Sequence, residues 1–170
     1  YNVNLGIGWA SSGVEYAQAY RSKVFSRMQI PAKFIFSDLI LADNIAELTR
    51  NLGFHDQDVI WLYNFFTDVK IAPTTYPLSE FKRAQHFAER NVEAAVQNFA
   101  DGKQVVHYWL PDENLRINVR IYDLATQAID YAEYVVDSQM VRREFYSYIR
   151  YVTEYLSAGN HVYARDFYNE

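Results

Sequence analysis

The hydrophobic period of this chain changes from 3.6 to 2 near residue 92, so its two halves cannot be built from the same element. Before that point apolar residues recur at helical spacing between short extended runs. After it, Val92 to Phe99 and Lys103 to Leu110 flank Ala100-Asp101-Gly102, and Asp-Gly between two apolar runs marks a hairpin. Leu115, Ile117, Val119 and Ile121 alternate onto one face. Further strands are expected over Ala128 to Val136, Val141 to Val152 and His161 to Phe167, with turns at Asp137-Ser138-Gln139 and Ser157-Ala158-Gly159-Asn160. The second half reads as an antiparallel meander.

The first half opens on Asn2-Val3-Asn4-Leu5, a short extended run broken by Gly6, Gly8 and Gly13, with Ser11 and Ser12 ahead of a helical pattern. Val14, Ala17, Arg21 through its stem, Val24, Phe25 and Met28 form the expected apolar stripe of a helix beginning near Gly13. Its first N–H groups lack intrahelical partners, and with the positive end of the helix dipole they suit a phosphate or diphosphate. Ordinary capping by serine and an ordinary glycine turn account for the same residues equally well. Gln29-Ile30-Pro31 ends the helix, and a second strand is expected from Ala32 to Phe36, making a strand–helix–strand unit. A helix from Asp43 or Asn44 to Leu52 stops at Gly53. Val59 to Phe66 reads as a buried helix capped by Asp56 or Asp58, with a strand as the alternative, and Leu78 to Arg90 as another helix. The fold class is therefore α+β, an α/β start followed by an inserted antiparallel sheet. Two or three parallel strands are too few for a doubly wound sheet. The chain is expected to be part of a longer protein, since Tyr1 is not a methionine and falls in a strand.

Composition removes several function classes. Lys and Arg number 16 against 21 Asp and Glu, a net charge of -5, which leaves no electrostatic footprint for nucleic acid. Without cysteine there is no thiolate chemistry or disulfide framework. His55, His86, His107 and His161 lack ligand spacing, so no metal is expected. Asp56-Gln57-Asp58 has the D-x-D form that holds a divalent ion in some sugar transferases, but before an apolar run it reads first as capping carboxylates. No apolar run approaches the roughly 18 residues of a membrane span, so a soluble protein is expected. A dinucleotide site is the rival reading of Gly6-x-Gly8 with Asp38 at the end of the second strand, yet the third glycine falls five residues after Gly8 instead of three.

Ten of the fifteen tyrosines lie after residue 100. If Val141 to Val152 is one regular strand, it presents Arg142, Tyr146, Tyr148 and Arg150 on one side, a set suited to a protein partner or polypeptide substrate. Ordinary cross-strand aromatic pairing is the other reading.

Asn4-Leu5-Gly6-Ile7-Gly8-Trp9-Ala10-Ser11-Ser12-Gly13-Val14-Glu15-Tyr16-Ala17-Gln18 resembles the glycosyltransferase A subunit of the accessory Sec system, as do Ile30 to Phe36, Val59 to Asn64 and Phe66 to Thr75. The match is looser in the meander, where Tyr146-Ser147-Tyr148, Arg150-Tyr151 and Phe167 to Glu170 still fit. The resemblance implies a retaining GT-B enzyme that adds N-acetylglucosamine from UDP-GlcNAc to Ser and Thr of serine-rich repeat adhesins. It implies an incomplete Rossmann-like N-terminal domain over residues 1–76 and, over 77–170, an inserted helix and β-meander that binds the acceptor and a non-catalytic sister B subunit. Gly13, Val14, Glu15 and Tyr16 would touch the donor nucleotide, and no metal or other cofactor is expected. The implied location is cytoplasmic, at the inner face of the cell membrane. The second Rossmann domain of that family, with its glutamate-bearing donor site, has no counterpart here, and the residue acting on the acceptor hydroxyl is unknown. A non-catalytic interaction module is the alternative function.

Overall fold

The structure is a computed structural model that describes residues 1–4, 13–37, 49–69, 74–100 and 102–169. The chain divides into two compact units, Tyr1–Ala72 and Pro73–Glu170.

In the first unit β1 (Asn2–Asn4), β2 (Phe34–Phe36) and β3 (Val59–Trp61) form a parallel sheet in the order β1-β2-β3. Phe34, Phe36, Phe54 and Trp61 are its buried core, with ring centroids 5.0 Å apart for Phe34–Phe54 and for Phe36–Trp61. The helix α1 (Gly13–Arg27) lies where the residue pattern placed it, but Ala19 and Ser22 are its buried residues. Val14, Ala17, Arg21 and Met28 of the expected stripe are exposed. Two small side chains one turn apart form that seam. Past Arg27 the chain closes on Gln29 at φ 54, with Gln29 N–H donating to the Ser26 carbonyl and Ile30 N–H to the Phe25 carbonyl. The same arrangement recurs where residues 49–52 end a helix: Gly53 has φ 86, its N–H donates to Arg50 and the Phe54 N–H to Thr49. Residues 43–48, the expected start of that helix, lie outside the described residues. The run expected as a buried helix is instead β3 followed by a 3-10 turn, Leu62–Phe65. Pairing of Val59, Ile60 and Trp61 with β2 decides it, since periodicity alone does not separate a short apolar strand from a buried helix.

The second unit is a seven-stranded antiparallel sheet whose spatial order is its chain order. Its strands are β4 (Glu93–Asn98), β5 (Gln104–Leu110), β6 (Leu115–Asp123), β7 (Ala128–Val136), β8 (Gln139–Tyr146), β9 (Arg150–Ser157) and β10 (His161–Phe167). The β4–β5 turn carries Gly102 at φ 83, with Phe99 N–H donating to Lys103; Asp101 lies outside the described residues. Asp137 (φ 48) and Ser138 (φ 62) form the two-residue turn between β7 and β8, both left-handed as a primed hairpin turn requires. The expected single strand Val141 to Val152 is in fact β8, a bend at residues 147–149, and β9. The bend is held from outside the hairpin: the Ser147 carbonyl accepts the Thr75 and Tyr76 N–H groups, each at 3.0 Å, and the Thr74 hydroxyl. Sequence periodicity within the run carries no trace of those donors.

One face of this sheet is covered by α2 (Leu78–Ala84), shorter than the helix expected to Arg90 because His86 turns left-handed (φ 53). Leu78 and Phe81 enter a core of Val106, Tyr108, Leu110, Ile117, Val119, Ile121, Ile129, Ala132, Tyr134 and Tyr146. Phe81 meets the rings of Phe87 and Tyr146 edge-on, both at 6.0 Å. The opposite face carries a polar row beside the buried Phe145 and Val152. His107 touches Gln97 at 2.9 Å and Asn118 at 2.8 Å; Arg143 pairs with Glu133 at 3.0 Å and Glu154 at 4.0 Å; Arg165 pairs with Glu154 at 2.9 Å. Because His107, Asn118, Glu133, Arg143, Glu154 and Arg165 are register partners in turn, they make a row perpendicular to the strands.

Two measurements check this account. Phe81→Ala empties the centre of the α2 contact and is expected to cost about 3–5 kcal/mol in chemical denaturation; a loss under about 1 kcal/mol would show that α2 does not hold the sheet. At the β6–β7 turn, the Thr126 hydroxyl and then the Ala125 N–H hold the exposed Asp123 carboxyl below its ordinary range. A depressed carboxylate contributes stability above its unfolded value and loses it as pH falls through the folded value. Thr126→Val is therefore expected to move the Asp123 titration upward by carbon-13 NMR, and an unmoved titration contradicts the assignment.

Candidate functional sites

Each unit carries one candidate site. In the first, Arg21 donates to the Asn2 side chain at 3.0 Å, placing the carboxyl half of α1 beside the start of β1. The amino end of α1 therefore lies at the carboxyl edge of the parallel sheet, where ligands of open α/β sheets bind. Of the residues expected to touch a nucleotide, Gly13 begins the helix, Val14 and Tyr16 are 66% and 64% exposed, and Glu15 is half-buried in the first turn. A Cβ built on Gly13 meets nothing within 4 Å. The glycine-rich turn itself, with Gly6, Gly8, Ser11 and Ser12, lies outside the described residues, as does Asp38. At the same edge, beyond β3, Leu62, Phe65 and Phe66 are 40%, 71% and 56% exposed. They come from the run expected to be buried, and its uniform hydrophobicity concealed them.

At the opposite edge a cavity of about 560 Å³ is lined by Ser22, Phe25, Gln29, Phe34, His55 and Asp58. Asp58 ends a 3-10 turn and stands 3.8 Å from the Lys33 ammonium. Among the described residues no three His, Asp or Glu side chains gather as a metal site.

In the second unit the four residues expected to share a strand face do not form one stripe, because the bend at residues 147–149 separates Tyr146 from Arg150. Tyr146 is a core residue, 3% exposed. Its hydroxyl donates to Glu144 at 2.7 Å, and the Tyr134 hydroxyl donates to the same oxygen at 2.6 Å. Arg150 donates to the other oxygen at 2.8 Å, with the Arg142 Nε 3.7 Å from it. Three of the four residues thus converge on one buried carboxylate. Arg142 stacks over the Tyr134 ring at 3.8 Å and Arg150 over Tyr168 at 4.2 Å, so both guanidiniums are positioned by aromatic faces. Burial, then the negative field of Glu144 on Tyr134 and of Tyr134 and Glu144 on Tyr146, pushes both phenols far above their ordinary value, so both remain donors. Tyr148, in the bend, is half-buried.

Comparison with known proteins matches both units. The model of the GtfA extended beta-sheet domain matches residues 97–170. The chain is 50% identical over 173 residues to the UDP-N-acetylglucosamine--peptide N-acetylglucosaminyltransferase GtfA subunit of Limosilactobacillus reuteri. It is 46% identical over 174 residues to that of Streptococcus gordonii. Both alignments cover 100% of this chain and 33% of the relative. Crystal structures of a GtfA/B complex and of the pneumococcal O-GlcNAc transferase GtfA with UDP and GlcNAc superpose with TM-scores of 0.72 and 0.71 at 44% identity, again over 100% of this chain and 33% of theirs. The chain thus spans about a third of the length of the relatives it matches. Along its whole length the chain is similar to part of the GtfA subunits, and its sheet matches the GtfA extended beta-sheet domain.

Proposed function

We propose that this chain is the part of a retaining GT-B glycosyltransferase that supplies one wall of the donor cleft and an acceptor- and partner-binding sheet. The enzyme transfers N-acetylglucosamine from UDP-GlcNAc to Ser and Thr of serine-rich repeat adhesins. The observation that carries this is the accessible amino end of α1, at the carboxyl edge of a parallel sheet, in a chain 44% identical to a transferase crystallised with UDP and GlcNAc. There the positive end of the helix dipole meets the charge that grows on the departing diphosphate, an arrangement that operates without a metal. Glu15 is an acceptor suited to donor hydroxyls, and Tyr16 offers a ring face. Residues 1–76 begin the Rossmann-like domain in this reading, and 77–170 form the insertion. The sister B subunit is the proposed partner, supported by the relative crystallised as a GtfA/B complex. The proposed location is the cytoplasm, at the inner membrane face; among the described residues no helix is long and apolar enough to cross a membrane.

Gly13→Val tests the donor assignment in a protein of the relatives' full length. A side chain at position 13 enters open space, so the fold should lose only about 1 kcal/mol, while the β-branched group stands where the diphosphate approaches. The expected result is a fall of about tenfold or more in kcat/KM for UDP-GlcNAc with a nearly unchanged melting temperature; unchanged kinetics in the folded variant refutes the assignment. Saturable UDP binding that this substitution abolishes excludes a purely non-catalytic module, and affinity for NAD in its place would restore the dinucleotide reading.

The two tyrosines of the second site should behave oppositely. Tyr146→Ala is expected to lose about 3 kcal/mol of stability, whereas Tyr148→Ala should keep its melting temperature and lose at least about 1 kcal/mol of affinity for the B subunit or an unmodified serine-rich peptide. If Tyr148→Ala lowers the melting temperature and leaves both affinities intact, the bend is not part of the interface.

A further inference from the structure

The two edges of the seven-stranded sheet are finished differently. β10 is guarded: its register shifts between Val162 and Ala164, Arg165 pairs with Glu154, and Asp166 accepts the Tyr155 hydroxyl at 2.8 Å. A bulge and charges on an edge strand are the usual obstacles to strand addition. β4 has no bulge and a single charge, Glu93, at its start. Its six residues, Glu-Ala-Ala-Val-Gln-Asn, are all exposed, hold an unshifted register against β5, and include no lysine, arginine or proline.

The direction of its free backbone groups follows from the hairpin. Phe99 N–H donates to Lys103, so residue 99 faces β5, and antiparallel alternation turns residues 97, 95 and 93 the same way. The N–H and C=O groups of Ala94, Val96 and Asn98 therefore point away from the sheet.

We propose that this outer edge of β4 binds the acceptor polypeptide as an added strand, through its main chain. The inference rests on the acceptor reading above and specifies how that acceptor is held. The relatives' names specify a peptide acceptor, which narrows the occupant to a polypeptide. Charge narrows it further: the edge has one charged residue, Glu93, and otherwise small or neutral side chains, which complement an uncharged, hydroxyl-rich segment and repel an acidic one. Ladder bonds read main chain and not side chains, so one edge accepts a repetitive segment in many registers. An enzyme that modifies many Ser and Thr positions of one polypeptide needs that tolerance.

The test uses the chain, a synthetic unmodified peptide of Ser, Thr and Ala, and the variants Val96→Pro and Val96→Thr. Proline removes an outward N–H and leaves the β4–β5 ladder intact. The expected result is a Kd raised about tenfold or more by Val96→Pro and little changed by Val96→Thr, with new exchange protection at the Ala94, Val96 and Asn98 amides. A peptide N-methylated at alternate residues should bind the unaltered chain as weakly, which separates the effect from any folding defect. If the peptide binds the parent and Val96→Pro equally with no protection at those amides, the edge proposal falls and the acceptor reading survives. If it binds neither, the acceptor reading falls and takes this proposal with it. Protection that appears without peptide and grows with protein concentration means that a second copy takes the edge, which also overturns the proposal.

Discussion

The sheet of the second unit depends on Phe81, whose side chain is fully excluded from water. An antiparallel meander with one apolar face is stable only if something covers that face. Here the cover is α2, only two turns long, joined by Phe87 and Tyr76. The neighbouring chain is tied down as well: Leu78 N–H donates to Gln127, and Ile129 N–H to Tyr76, so the segment that carries the helix is hydrogen-bonded to the sheet it covers.

Polar groups then give the sheet its definition. On the covered face Glu144 would be costly if left alone, and two phenols and two guanidiniums satisfy it. The donors come from three strands and each reaches one carboxylate, so a slipped register would strand a buried charge. On the other face the row from His107 to Arg165 does the same work, its last four members, Glu133, Arg143, Glu154 and Arg165, alternating in sign around the buried Glu154. The two faces thus specify the same register by different means, leaving the edges as the places where the sheet can accept something new.

The first unit is smaller, and its interest lies in what stays uncovered. Three strands of three residues each support α1, with Gly13, Val14 and Tyr16 at its accessible amino end. Phe65 and Phe66 stand at the same edge of the sheet. The helix amino end and this aromatic margin are the two features of the sheet edge on which the donor-cleft proposal rests.

By itself the sequence determined the elements whose cause is local. Gly53 closes its helix because glycine takes the left-handed position freely, and Asp137-Ser138 turns where two residues join alternating runs. The parallel start, the meander and a helix beginning near Gly13 were all legible for that reason. Tertiary structure alone decided the rest. Val59–Trp61 became a strand because β2 offered a partner, although its composition suited a buried helix equally. Val141 to Val152 broke because Thr74, Thr75 and Tyr76, some seventy residues earlier, place three donors on the Ser147 carbonyl. Beyond that bend Arg150 reaches Glu144, which faces the core beside Arg142 and Tyr146 on the same strand. A pattern read along the chain reports which residues favour water, while a hydrogen bond across the fold decides which of them reach it.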